Sequence, residues 1–83
     1  MTLPGSPFIA YRGDDLFIEG CRLADLARRF GTPLYVYSRK SMLAALGGYQ
    51  RALAGRDHLV CYAMKANSSL AVLQTFAQAG CGF

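Results

Sequence analysis

No stretch of this chain approaches the ~20 consecutive apolar residues that a membrane-spanning helix requires, so no membrane segment is expected. The opening residues, Met1-Thr2-Leu3-Pro4-Gly5-Ser6-Pro7, lack the basic region and apolar core of a secretory signal, and a cytoplasmic location is expected. Cysteine is sparse: Cys21, Cys61 and Cys81 are odd in number, far apart and free of any Cys-x-x-Cys pair. That spacing fits neither a zinc site nor a disulfide framework, and reduced, mostly buried thiols are expected. Acidic residues are few, five against nine Lys and Arg, for a formal net charge of +4. Nucleic-acid binders gather such charge on one face or stripe. Here only Arg28-Arg29 and Arg39-Lys40 are adjacent, so no nucleic-acid partner is expected. Internal repeats and low-complexity segments are missing as well.

What is present is apolar. Hydrophobic residues make up 53% of the 83 positions and charged ones 17%, enough to form a core and to exclude a disordered tail. In order, Phe8-Ile9-Ala10-Tyr11 and Leu16-Phe17-Ile18 read as two strands joined by the turn Arg12-Gly13-Asp14-Asp15, with Gly20 as the end of the hairpin. Leu23, Leu26, Ala27 and Phe30 share one face of a helix that Gly31 and Pro33 stop. Arg28 and Arg29 suit the last turn of that helix. Its start has Arg22 where a Ser, Thr or Asp cap would be usual.

Leu34-Tyr35-Val36-Tyr37 alternates like a strand, and Ser38 can cap a second helix from Arg39 to Ala54 with a stripe of Met42, Leu46, Tyr49 and Leu53. Gly47-Gly48 inside it marks a close contact or a break. His58 to Met64 is nearly continuous in apolar character, as strands buried on both faces are. Asn67, Ser68 and Ser69 can cap a third helix whose face is Leu70, Leu73, Phe76 and Ala77; Gly80 ends it, and Cys81-Gly82-Phe83 reads as the entry to another strand. Strands alternating with helices indicate a parallel α/β architecture. Two or three parallel strands would leave edges and helix faces unburied. Domains most often run ~100–150 residues, so the chain is expected to be the N-terminal part of a larger protein.

Lys65 carries the strongest chemical signal. It follows directly on the apolar run, which places its amine at the C-terminal end of a strand, where α/β barrels carry their catalytic residues. Partial burial there would favour the neutral, nucleophilic amine. An ordinary solvent-facing lysine is the plainer alternative. Asn67, Ser68 and Ser69 can supply an anion site at a helix N-terminus or simple capping. His58 has no Ser, Cys or carboxylate at a recognisable spacing and reads as surface. Tyr35, Tyr37 and Tyr62 read as packing residues.

The run Cys61-Tyr62-Ala63-Met64-Lys65-Ala66-Asn67 resembles the Y-A-x-K-A-N signature of fold-type III pyridoxal-phosphate enzymes, a group of alanine racemase-like barrels and basic amino-acid decarboxylases. The stretch from Leu23 to Phe30, followed by Gly31-Thr32-Pro33-Leu34-Tyr35-Val36-Tyr37, is similar to diaminopimelate decarboxylases in particular. So are Phe17-Ile18-Glu19-Gly20, Leu70-Ala71-Val72-Leu73 and the Gly80-Cys81-Gly82-Phe83 ending.

The resemblance implies that residues 1–33 are strands and a helix associated with a separate β domain. Residues 34–83 would then be the start of a parallel (β/α)8 TIM-like barrel that binds pyridoxal 5'-phosphate. Lys65 would hold that cofactor as an internal aldimine, with Tyr62, Ala63, Ala66 and Asn67 as neighbours that can contact it. The whole protein would decarboxylate meso-diaminopimelate to L-lysine and carbon dioxide as a homodimer. The histidine, acidic residue, phosphate loop and arginines that complete such sites lie outside these 83 residues, so the chain alone is expected to be inactive. Two alternatives remain: an ornithine or arginine decarboxylase of the same fold, and a non-enzymatic pyridoxal-phosphate carrier with a single barrel. The strands between Phe8 and Ile18 speak against the carrier.

Overall fold

Antiparallel pairing needs only a two-residue loop, and Gly13-Asp14 supplies one. Gly13 takes a φ of +64°, which its missing Cβ permits without strain. It turns strand β1 (Ile9–Arg12) back along β2 (Asp15–Ile18), in a register from Arg12 opposite Asp15 to Ile9 opposite Ile18. Glu19-Gly20 makes a second turn, and the short strand β3 (Cys21–Arg22) returns along β2. The sheet order is β1-β2-β3, so the hairpin read from the sequence gains a third strand. A computed structural model of the chain describes residues 2–83, which form two compact units, one ending at Ser41 and the other spanning Met42–Phe83.

In the first unit, helix α1 (Leu23–Phe30) packs on β2 and β3. Leu23, Leu26 and Ala27 turn inward as the stripe predicts, while Phe30 at the helix end is exposed. Buried Ile18 is the innermost residue of the sheet. Arg22 gives no side-chain cap to α1; its guanidinium lies 3.7 Å from the Asp15 carboxylate and 3.9 Å from that of Asp25. Asp25 also pairs with Arg28 one turn along. All four side chains are exposed, so each pair contributes at most about 1 kcal/mol.

The strand expected at Leu34-Tyr35-Val36-Tyr37 does not form. The segment is extended coil, with Tyr35 and Tyr37 exposed and only Val36 half-buried. Alternation prepares a backbone for a ladder but does not create one; a strand exists only where a neighbour takes its N–H and C=O groups, and among the described residues none does.

Helix α2 (Arg39–Ala52) begins where the sequence places it and ends two residues short of the expected Ala54. Ser38 caps it, its Oγ accepting the Ser41 N–H at 3.0 Å. Of the predicted stripe, Leu46 is buried, Met42 and Leu53 are half-buried, and Tyr49 is exposed. Gly47-Gly48 produces no break. A Cβ at Gly47 would meet only the Arg51 guanidinium, and one at Gly48 would point into open space.

In the second unit, the strand expected over His58 to Met64 is reduced to a single parallel bridge, Cys61 opposite Gly82. Two hydrogen bonds make it: Gly82 N–H donates to Val60 O at 2.9 Å and Tyr62 N–H to Gly82 O at 2.8 Å. The entry strand at Cys81-Gly82-Phe83 is the other half of the same bridge. Parallel strands pair only across a crossover, here helix α3 (Leu70–Gln78). The face of α3 also differs from the one expected. Of the expected residues Leu73 and Phe76 are half-buried, but Leu70 is 83% exposed and Ala77 exposed, while Val72 and Thr75 are the buried ones. Gln74, Thr75 and Gln78 form one polar sector of the helix, but the buried side is turned so that Thr75 lies within it and Leu70 and Ala77 do not. Thr75 is tolerated inside because its Oγ–H donates to Ala71 O at 2.8 Å.

The end of α3 is a Schellman motif. Gly80 at φ +85° lets its own N–H reach Ala77 O and the Cys81 N–H reach Phe76 O, at 3.1 and 3.0 Å. Gln50 on α2 adds a bond from Nε2 to Ala79 O at 3.0 Å. The cysteines are free, but the expectation of mostly buried thiols is not met. Only Cys81 is buried, because Cys21 lies on the short outer strand and Cys61 faces outward from the bridge.

Candidate functional site

The motif around Lys65 is built on a turn. From Val60 to Tyr62 the backbone is extended and held by Gly82; it then tightens into a 3-10 turn over Met64–Ala66, closed by the Ala66 N–H bonding to Ala63 O at 3.1 Å. Two side chains fix that turn to the start of α3. The Tyr62 hydroxyl donates to Asn67 O at 2.9 Å, and Asn67 Oδ1 accepts the Ser69 N–H at 2.9 Å. Asn67 therefore does the capping that Ser68 and Ser69 also offered, through an Asx turn, while the Ser69 side chain makes no cap bond.

Tyr62 is anchored from behind. Its ring lies 4.6 Å from that of Phe76 at a tilt of 31°, and 6.5 Å from that of Phe83, edge to face. Such pairs contribute about 0.5–1.5 kcal/mol each beyond the area they bury. The sequence marks neither phenylalanine as a partner of the motif: Phe76 shows only as part of the α3 face and Phe83 only in the segment after Gly80. Buried Cys81 completes the support, its Sγ–H directed at Val60 O at 3.2 Å.

Lys65 is set differently. It is exposed, not partly buried at the mouth of a strand, because the preceding segment has one ladder neighbour among the described residues instead of two. Its side chain makes no ion pair or hydrogen bond among those residues. Ala63 and Ala66 flank it and are exposed, while Tyr62 and Asn67 are half-buried and committed to holding the turn. Beside the turn, Met64, Leu70, Leu73, Ala77 and Phe83 line a shallow apolar groove with Gln74 at its edge. The result is a primary amine displayed on a braced turn with apolar surface alongside. That donor set suits condensation with a carbonyl group, the chemistry by which a lysine holds pyridoxal phosphate. His58 takes no part: it is exposed, and its Nδ1–H donates to Arg56 O at 2.8 Å.

No protein-family model matches the chain. Individual proteins do, and they are amino-acid decarboxylases. More narrowly, they are diaminopimelate decarboxylases, and the chain matches a stretch of them along about nine-tenths of its length. The enzyme of Pseudomonas aeruginosa is 54% identical over 74 residues, covering 89% of this chain and 18% of that protein. The enzyme of Vibrio cholerae is 46% identical over 77 residues, covering 92% and 18%. In three dimensions the chain superposes on the crystal structure of diaminopimelate decarboxylase from M. jannaschii in complex with L-lysine. The TM-score is 0.88 and the identity 34%, over 96% of this chain and 20% of that one. The chain thus spans less than a fifth of the length of these curated relatives. The mixed strand-and-helix fold agrees with the resemblance read from the Lys65 motif. No helix among the described residues is long and apolar enough to cross a membrane.

Proposed function

We propose that the whole protein is a pyridoxal-phosphate-dependent decarboxylase that converts meso-diaminopimelate to L-lysine and carbon dioxide. In the reaction a bond from an α-carbon to a carboxylate breaks, carbon dioxide leaves, and a proton takes its place. Pyridoxal phosphate, when bound, supplies the electron sink for the pair left on that carbon. Lys65 is the residue that would hold it. The observation that carries this reading is the exposed Lys65 amine, unpaired among the described residues, on its braced turn, in a chain 54% identical over 74 residues to a diaminopimelate decarboxylase. Tyr62 and Asn67 serve by fixing the backbone from which the amine projects. The L-lysine in the M. jannaschii structure agrees with the product.

In this reading residues 1–33 belong with a separate β domain and residues 34–83 open a TIM-like (β/α)8 barrel. The active form is a cytoplasmic homodimer without nucleic-acid or membrane partners. The 83-residue chain by itself has no decarboxylase activity, since it holds the lysine and none of the groups that orient substrate.

The test uses the whole protein saturated with pyridoxal phosphate. Carbon dioxide release is expected from meso-diaminopimelate and not from ornithine or arginine. Borohydride reduction followed by peptide mapping is expected to leave the cofactor on Lys65, and Lys65→Ala is expected to bring turnover to background. Release from ornithine or arginine instead reassigns the substrate. Cofactor on Lys65 without turnover identifies a carrier, and full turnover by Lys65→Ala ends the proposal.

A further inference from the structure

Helix α2 begins with unsatisfied donors, because its first backbone N–H groups have no carbonyl one turn back. The common solution pairs a Ser or Thr cap with a Glu or Gln three residues on. Ser38 is the cap, but the third position holds Ser41. The carboxylate comes from elsewhere. Glu19, in the turn between β2 and β3, accepts the Ser38 Oγ–H at 2.9 Å and the Lys40 N–H at 3.2 Å, both on Oε2. Ser38 Oγ passes the connection on by accepting the Ser41 N–H.

Glu19 is also held where a glutamate seldom rests. Its φ is +52°, in the left-handed region. Its N–H donates to Phe8 O at 2.6 Å, and its carbonyl accepts from Arg12 Nη2 at 3.2 Å. One residue thereby joins the segment before β1, β1 itself, the β2–β3 turn and the first turn of α2.

We propose that Glu19 is an acid-labile clasp: its ionised carboxylate ties the β2–β3 turn to the start of α2, and neutralising it releases that start. The charged groups that face it are cationic, Lys40 on α2 and Arg12 on β1, and the Arg39 backbone N–H adds a donor. The carboxylates of the neighbouring elements, Asp15 on β2 and Asp25 on α1, are engaged with Arg22 and Arg28. The hydrogen bond from Ser38, then that from the Lys40 N–H and the charge of Lys40, hold the Glu19 carboxyl below the ordinary range. A group lowered on folding contributes stability above its unfolded pKa and loses it as pH falls through the folded value. The clasp is therefore closed at neutral pH and opens below the usual glutamate range.

Lys40 and Lys65 are the only lysines in the chain, so nitrogen-15 lysine labels one amide in the clasp and one far from it in sequence. The Lys40 amide resonance is expected to move with an acid midpoint below that of a free glutamate, and the Lys65 amide is not expected to follow. In Glu19→Gln that movement disappears, and the Lys40 amide exchanges its hydrogen several-fold faster at a fixed pH. A Lys40 amide that does not titrate in the unsubstituted chain, or that titrates unchanged in Glu19→Gln, overturns the clasp. The first measurement needs no variant, so a poorly folded Glu19→Gln chain leaves the proposal fully exposed to it.

Discussion

The two units solve the same problem, satisfying an extended backbone, with different reach. Up to Ser41 the strands are antiparallel and joined by two-residue turns, so every ladder partner is within nine residues and the three-stranded sheet is complete within 14 residues, Ile9 to Arg22. From Met42 onward the extended segment around Cys61 is of the parallel kind. Its one partner, Gly82, is reached only after a turn and a helix. Local pairing buries Ile18 in the sheet, while the single bridge buries Cys81 and leaves Leu59 beside it and the motif lysine exposed. The chemistry-bearing motif thus hangs on one bridge, where a few side chains do what a ladder does for β1, β2 and β3.

Tyr62 is the sharpest test of that contrast. Tyr62→Ala removes both aromatic contacts and the bond to Asn67 O. It is expected to cost about 2 kcal/mol, below the value for a fully buried aromatic because Tyr62 is half-buried. Urea denaturation read by near-ultraviolet circular dichroism measures the loss. Tyr62→Phe keeps the ring and is expected to cost about 1 kcal/mol, the hydrogen bond alone. Hydrogen exchange locates the damage: amides from Val60 to Ser69 are expected to lose protection while the β1–β2 ladder keeps it. Equal loss in both places would erase the distinction drawn between the units.

The same distinction explains what was legible in the sequence. The Gly13 turn, the stripe of Leu23, Leu26 and Ala27, the Gly31 stop and the Ser38 cap all act within one or two turns of backbone, and each appears where its pattern placed it. Lys65 was legible as a motif, but its setting was not. Its exposure depends on how many neighbours the segment 58–64 acquires, and apolar composition does not count them. Glu19 escaped notice because its partners are 19 and 21 residues away, although an N-cap serine without an acid three residues on was the available hint. The inward side of α3 keeps Leu73 and Phe76 but turns away from Leu70 and Ala77, because Thr75, its hydroxyl bonded to its own helix, lies inside, which a hydrophobic stripe does not anticipate.

Ser38 probes the local, well-satisfied side. It is buried, and it both caps α2 and donates to Glu19. Ser38→Ala is expected to cost about 1 kcal/mol in urea denaturation, the usual value of an N-cap. The difference between Ser38→Ala and the unsubstituted chain is expected to shrink as pH falls through the Glu19 titration, since the substitution removes a partner that the protonated carboxyl no longer needs. A difference constant with pH would mean that the cap works independently of Glu19.

The smallest expected effect is a gain. Glycine within a helix interior costs roughly 1 kcal/mol relative to alanine, through the backbone freedom it surrenders. Gly48 lies inside α2, and an added Cβ would meet nothing within 4 Å among the described residues. Gly48→Ala is therefore expected to stabilise the 83-residue chain by somewhat less than ~1 kcal/mol, measured as a higher urea midpoint at unchanged slope. Gly47→Ala has the same propensity gain, but its Cβ comes within 3.0 Å of Arg51 Nη1, the mobile end of a long side chain. Its gain is expected to be smaller by the cost of moving that guanidinium. The two substitutions made in the whole protein extend the comparison. If Gly48→Ala stabilises the short chain and destabilises the complete one, open space at Gly48 is filled there by another element at close range, and the glycine is a packing residue rather than a tolerated weakness.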